Sequence, residues 1–147
     1  MHHIYTTSQP QKLVKKLQEL TDDGITVLAV PGNHDINNPN SATYYNDNRE
    51  FTSNVITEEE FYEIYKTLGY DQSFSRDTSS LSYAYRYDDG RIILMLDSAV
   101  YEPSNKVYGT IKDETLKWMQ SVLKEAGSSP DGKYVLYDGM TGEAYDE

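Results

Sequence analysis

The sequence predicts an α/β fold with a mixed β-sheet flanked by helices. Three observations carry that expectation. Helical stretches with one apolar face alternate with short apolar runs, an Asp-Gly turn joins two strand-like segments, and 147 residues suffice for one hydrophobic core.

Leu13, Val14, Leu17 and Leu20 recur at helical spacing behind Ser8, a plausible N-cap, and Gly24 stops that helix. The run Ile25-Thr26-Val27-Leu28-Ala29-Val30 is β-branched and apolar on both faces, the pattern of a strand buried on both sides in a parallel sheet, and Pro31-Gly32 ends it. From Asp35 to Asn54 the chain is rich in Asn, Asp and Ser without period, which reads as a long surface loop with room for a short helical turn. Thr57 and Glu60 fit a capping box, and Phe61, Ile64, Tyr65 and Leu68 continue the helical face to Gly69. Leu81, Tyr83, Tyr85 and Tyr87 alternate with polar or small residues, and Asp89-Gly90 leads into Ile92-Ile93-Leu94-Met95-Leu96, a hairpin. Leu116, Trp118, Met119, Val122 and Leu123 mark a helix over residues 112–125, punctuated by Gly127 and Pro130. Residues 133–137 form one more strand. The order is helix, strand, helix, hairpin, helix, strand. This reading makes residues 1–137 a single domain and 138–147 an acidic, mobile tail.

Thirteen basic against 24 acidic residues give a net charge of −11, so most of this surface repels nucleic-acid phosphates and anionic lipid headgroups. Without cysteine there is no disulfide framework, thiolate metal site or thiol nucleophile. The apolar runs fall far short of the roughly 20 residues of a membrane span. No basic start with an apolar stretch marks a secretory signal, and the chain reads as soluble with no cellular address. A mean hydropathy of −0.70 suggests a thin core, although 14 Tyr, three Phe and one Trp supply aromatic area.

Val30-Pro31-Gly32-Asn33-His34-Asp35 stands above this background. It follows an apolar run, and ligands of open α/β sheets gather outside the carboxyl ends of strands. An Asn carbonyl oxygen is a neutral hard donor for a divalent metal, and the adjacent imidazole can move a proton near neutral pH. Gly, Asn and Asp are also ordinary turn residues, so a plain turn is the competing reading.

The Gly32-Asn33-His34-Asp35 string resembles the third motif of the calcineurin-like metallophosphoesterases. The preceding helix, Ser82-Tyr83, Leu96-Asp97-Ser98, and the stretch from Gly109 to Leu123 with Trp118 recur in the same order in bacterial members. The resemblance covers residues 11–136 and corresponds to the central part of the family's domain. It implies a partial metallophosphoesterase-like layered fold and a site for a pair of divalent metals (Mn, Fe, Zn, Mg or Ni), whose bridging hydroxide attacks a phosphoester in line. By the same resemblance Asn33 is a metal ligand, His34 approaches the scissile phosphate and protonates the leaving oxygen, and Asp35 orients that imidazole. Asp97 matches a common strand-end residue that is not a ligand.

The departures are as informative. The family's upstream Asp-x-His and Gly-Asp-x-x-Asp motifs do not occur in residues 1–28, and no histidine follows His34, where a strand-end histidine and Gly-His-x-His belong. Tyr137-Asp138-Gly139-Met140 stands at the first of those places. One neutral carboxamide does not hold a divalent ion against water, so the expectation is a truncated domain that binds no metal pair stably and is inactive alone. Its substrate in the complete domain is a small phosphoester. The alternative is a noncatalytic binding or accessory domain that pairs with itself or with a second polypeptide through open sheet edges.

Other features have plainer readings. His2 and His3 stand at the chain start, where disorder is common. An EF-hand beginning at Asp35 fails, with Pro39 and Asn40 at its fifth and sixth positions. Tyr83, Tyr85 and Tyr87 suit packing, and Glu58, Glu59 and Glu60 suit the positive end of a helix dipole.

Overall fold

A computed structural model of the chain describes residues 8–37, 43–52, 55–99, 109–127, 134–138 and 144–146. His2, His3, Pro39, Asn40, Pro130, Lys133, Gly139 and Met140 lie outside them. The chain is mixed α/β, with three helices and two sheets among the described residues.

Helix α1 (Ser8–Asp22) ends in a Schellman motif, in which Gly24 N–H donates to the Thr21 carbonyl at 3.0 Å and Ile25 N–H to Leu20 at 3.0 Å. The run at 25–30 then departs from its expected role. It pairs with no strand among the described residues, and its backbone is tied instead to the turn after the second helix through Ala29 N–H to the Leu68 carbonyl at 2.9 Å. Its apolar side chains serve that packing. Leu28 and Val30 lie against the core, whereas Ile25 remains 52% exposed because no described strand lies alongside to cover it.

The segment expected to be one long loop contains a hairpin, β1 (Thr43–Asn46) paired antiparallel with β2 (Arg49–Thr52). Asp47 and Asn48, both in the left-handed region at φ 49° and 61°, make the two-residue turn. Sequence reading missed it because abundant Asn obscured the Asp-Asn signal between two Tyr- and Phe-bearing segments. The ends of this excursion are clamped by a parallel bridge between the buried Ile36 and Ile56, with Asn37 N–H donating to the Ile56 carbonyl at 3.0 Å.

Helix α2 (Glu58–Tyr65) begins at the expected capping box. Thr57 N–H donates to Glu60 Oε2 at 2.8 Å, and Glu60 N–H donates to Thr57 Oγ1 at 3.2 Å. Its Phe61 turns inward, stacked on Tyr65 at 4.3 Å between ring centroids.

The main sheet has the order β3-β4-β5-β6-β7, made of β3 (Ser75–Arg76), β4 (Tyr83–Arg86), β5 (Ile92–Leu96), β6 (Tyr134–Asp138) and β7 (Ala144–Asp146). The β4–β5 hairpin follows the expected Asp-Gly turn, closed by Gly90 N–H to the Tyr87 carbonyl at 2.9 Å and Tyr87 N–H to the Arg91 carbonyl at 2.8 Å. β5 pairs parallel with β6, in the register Ile92 to Tyr134 through Leu96 to Asp138, and helix α3 (Asp113–Gly127) lies on the connection between them. Two strands of this sheet were also absent from the sequence reading. β3 is too short to leave a pattern, and β7 falls within the stretch read as an acidic tail, where Leu136 pairs with Tyr145.

Both faces of β4 and β5 are covered. On one, Ala84, Ile92, Leu94 and Leu96 pack against Val122 and Ala126 of α3, with Trp118, Met119 and Leu123 alongside at helical spacing. On the other, Tyr83 and Met95 join Ile36, Ile56, Phe61, Tyr70 and Leu81. Thus β5, rather than the run at 25–30, is the strand apolar on both faces because both are buried. No helix among the described residues is long and apolar enough to cross a membrane.

Candidate functional site

Asn33, His34 and Asp35 share one tight turn that begins one residue after the buried Pro31. Asp35 N–H donates to the Gly32 carbonyl at 3.2 Å, and Gly32 N–H donates to Asp35 Oδ2 at 2.7 Å. The two bonds close the four-residue turn from both ends. The Asp35 carboxylate therefore holds the backbone that carries the motif. Asn33 is half-buried and His34 exposed, so the turn presents an amide and an imidazole at the surface next to a fixed backbone. Asp35 also faces Tyr65, whose phenol is pushed above its ordinary value by burial first and by this carboxylate second.

Asp97 lies elsewhere, at the buried end of β5. Its Oδ2 accepts from Leu81 N–H at 3.0 Å and its Oδ1 from Ala99 N–H at 3.2 Å, while its own N–H donates to Ser82 Oγ at 2.9 Å. The carboxylate thereby joins the segment entering β4 to the segment leaving β5. This is a structural task for a strand-end aspartate.

A second buried carboxylate escaped sequence reading. Asp77, 4% exposed, accepts from Ser79 N–H at 2.9 Å, from Ser80 Oγ–H at 2.6 Å and from the Thr115 hydroxyl of α3. Burial by itself raises its carboxyl, but hydrogen bonds from Ser80, Thr115 and Ser79 outweigh it and hold the group below the ordinary carboxylate value. The available signal was local, since Asp followed two residues later by Ser is the composition of an Asx turn. The reach to Thr115, 38 positions away, had no local signature.

Beside this cluster opens a cleft of about 1040 Å³, between the start of α2 and the loop that follows β3. Ile36 and Asn37 reach it from the end of the Asn33–Asp35 turn, Thr57, Glu58, Glu59 and Tyr62 from α2 and its cap, and Arg76 and Thr78 from the β3 side. The cleft thus adjoins the candidate turn through two consecutive residues.

No group of three or more His, Cys, Asp or Glu side chains among the described residues is arranged to hold a metal ion. Asn33 alone offers one neutral oxygen. Taken by themselves, the described residues do not fit a metal pair.

No family model matches this chain. A segment of 40 residues, 27% of the chain, is 52% identical to part of the DNA-directed RNA polymerase subunit beta of Aster yellows witches'-broom phytoplasma (strain AYWB). The corresponding subunit of Onion yellows phytoplasma (strain OY-M) matches with the same identity over the same length. The matched segment spans 3% of each of those proteins.

Proposed function

We propose that this chain carries the third-motif turn of a calcineurin-like metallophosphoesterase in a metallophosphoesterase-like layered fold. In this reading Asn33 contributes one ligand to a site for phosphoric ester hydrolysis, and His34 gives a proton to the leaving oxygen of a small phosphoester. Asp35 secures the turn that carries both. The supporting observation is the placement of Gly32-Asn33-His34-Asp35. A turn locked by reciprocal Gly32 and Asp35 bonds follows an apolar run, and the two residues after it, Ile36 and Asn37, line a cleft. When bound, a divalent metal pair (Mn, Fe, Zn, Mg or Ni) supplies an activated hydroxide and charge stabilisation. This reading takes the isolated chain as inactive, with further carboxylate and imidazole donors completing the site.

A noncatalytic accessory domain paired with a second polypeptide is the other reading. It is favoured by the run at 25–30, which pairs with no strand among the described residues and leaves Ile25 half exposed.

Manganese titration of the labelled chain, followed by NMR, tests the first reading. Weak manganese binding is expected to broaden Asn33 and His34 before the glutamates of α2, to lose that order in Asn33→Ala, and to leave a chromogenic phosphodiester intact. Broadening that starts at Glu58 and Glu59 and ignores Asn33→Ala overturns the role of the turn. Turnover by the isolated chain overturns its inactivity.

A further inference from the structure

In a chain of net charge −11, Arg76 is held by two aromatic rings rather than by an acidic side chain. Its guanidinium carbon lies 4.2 Å from the centroid of the Tyr62 ring and 5.6 Å from that of Tyr70, and it joins no ion pair among the described residues. Arg86 and Arg91 by contrast pair with Glu125 and Asp89. The backbone under Arg76 is fixed, because it is paired with Tyr83 in the β3–β4 ladder and the next residue, Asp77, donates its N–H to the Ser82 carbonyl at 3.0 Å. A guanidinium stacked on aromatic rings has lost much of its rotamer freedom before any ligand arrives, and its planar N–H fork matches an oxyanion.

Across the cleft from the β3 side, α2 carries Glu58, Glu59 and Glu63. Glu63 pairs with Lys66 at 2.7 Å, and Asp77, which also lines the cleft, is taken up by Ser79, Ser80 and Thr115, whereas Glu58 and Glu59 have no side-chain partner among the described residues. Their place in the first turn of α2 accounts for their being acidic, and alone they indicate no ligand. Together with Arg76 they change what the cleft accepts. A multiply charged anion attracted by Arg76 is repelled by two carboxylates, and a simple cation meets the guanidinium. A molecule carrying one charge of each sign satisfies both walls.

We propose that this cleft binds a small zwitterionic molecule, with its oxyanion on Arg76 and its protonated amine against Glu58 and Glu59. The proposal stands apart from the metal-site reading and needs no metal.

Titrations of the full chain with O-phosphoethanolamine and with β-alanine, followed by NMR and calorimetry, test it and separate a phosphate from a carboxylate as the oxyanion. Inorganic phosphate and ethanolamine, each with charge of one sign only, are the controls. At least one zwitterion is expected to bind, to shift the Arg76 and Tyr62 resonances, and to bind at least about tenfold tighter than either control. Arg76→Gln is expected to weaken it at least about tenfold, with Arg76→Lys intermediate. Glu58→Gln with Glu59→Gln is expected to weaken the zwitterion while leaving phosphate binding equal or stronger. A thermal melt of each variant distinguishes loss of the site from loss of the fold. The proposal is overturned if neither zwitterion binds, if phosphate alone binds as tightly as O-phosphoethanolamine, or if a folded Arg76→Gln protein retains full affinity.

Discussion

The Tyr83 hydroxyl donates to the Ala29 carbonyl at 2.8 Å, across 54 residues of sequence, and ties the run before the candidate turn to β4 of the main sheet. Tyr83 is fully buried, its ring lies 4.3 Å from that of Tyr70, and burial raises its phenol far above the ordinary value. It therefore stays neutral and remains a donor throughout the accessible pH range.

Replacing Tyr83 with Phe keeps the ring and removes the donor. The Ala29 carbonyl then loses its cross-chain partner, a change expected to cost about 1 to 2 kcal/mol. Urea denaturation measures this. An unchanged midpoint would show that Ala29 finds another donor and that the tie does not hold the run in place.

Gly69 sits directly against the same phenol. At φ 110° it adopts a backbone that side chains disfavour, and a Cβ there would lie 2.9 Å from Tyr83 Cζ and 3.0 Å from Leu28 Cδ2. Gly69→Ala is expected to destabilise by about 3 kcal/mol, combining strain with overpacking. Gly24→Ala is the control. It shares a positive φ of 86° but has nothing within 4 Å, so it is expected to cost only about 1 kcal/mol. Equal losses at the two sites would remove packing against Tyr83 as the cause.

Asp77 sets the pH dependence of the α3 side of the sheet. Its folded carboxyl lies below the ordinary 3.8. The stability it contributes is therefore complete above the unfolded value and is lost as pH falls through the folded one. Asp77→Asn is expected to destabilise at pH 7 by about 2 kcal/mol, because the hydroxyls of Ser79, Ser80 and Thr115 lose a charged acceptor. The gap from the parent should shrink below about pH 4. Paired denaturation curves at pH 7 and pH 3 decide this, and a gap that stays constant would show that hydrogen bonding to the ionised form is not its source.

Legibility in the sequence followed the range of each signal. The capping box at Thr57 and Glu60, the Asp89-Gly90 hairpin and the helix bearing Trp118 are written in residues a few positions apart, and the structure has all three. Helix α3 runs to Gly127, two residues beyond its expected end at 125. The run at 25–30 was misassigned because apolarity on both faces reports burial, whereas a strand also needs a neighbour to pair with. β7 was missed because pairing with β6 is decided by the partner, not by the composition of Ala144–Asp146. At the candidate site the turn residues Asn33, His34 and Asp35 were visible as a motif. Arg76 and Asp77 were not, since each matters through residues brought from α2 or α3 by the fold.

The carboxylate of Asp35 locks the candidate turn. It accepts the Gly32 N–H at 2.7 Å while its own N–H closes the turn from the other end at 3.2 Å. Because Asp35 is exposed, removing the carboxylate leaves Gly32 N–H open to water rather than buried and unpaired. Asp35→Ala is accordingly expected to cost less than about 1 kcal/mol of global stability. Its effect should be local, with faster hydrogen exchange at the Gly32 amide and averaged resonances at Asn33 and His34, while Asp35→Asn, which retains an acceptor oxygen, restores much of the protection. Unchanged exchange at Gly32 in Asp35→Ala would mean that Pro31 and the Asp35 backbone bond suffice to hold the turn. Asp35 would then have no part in positioning Asn33 and His34.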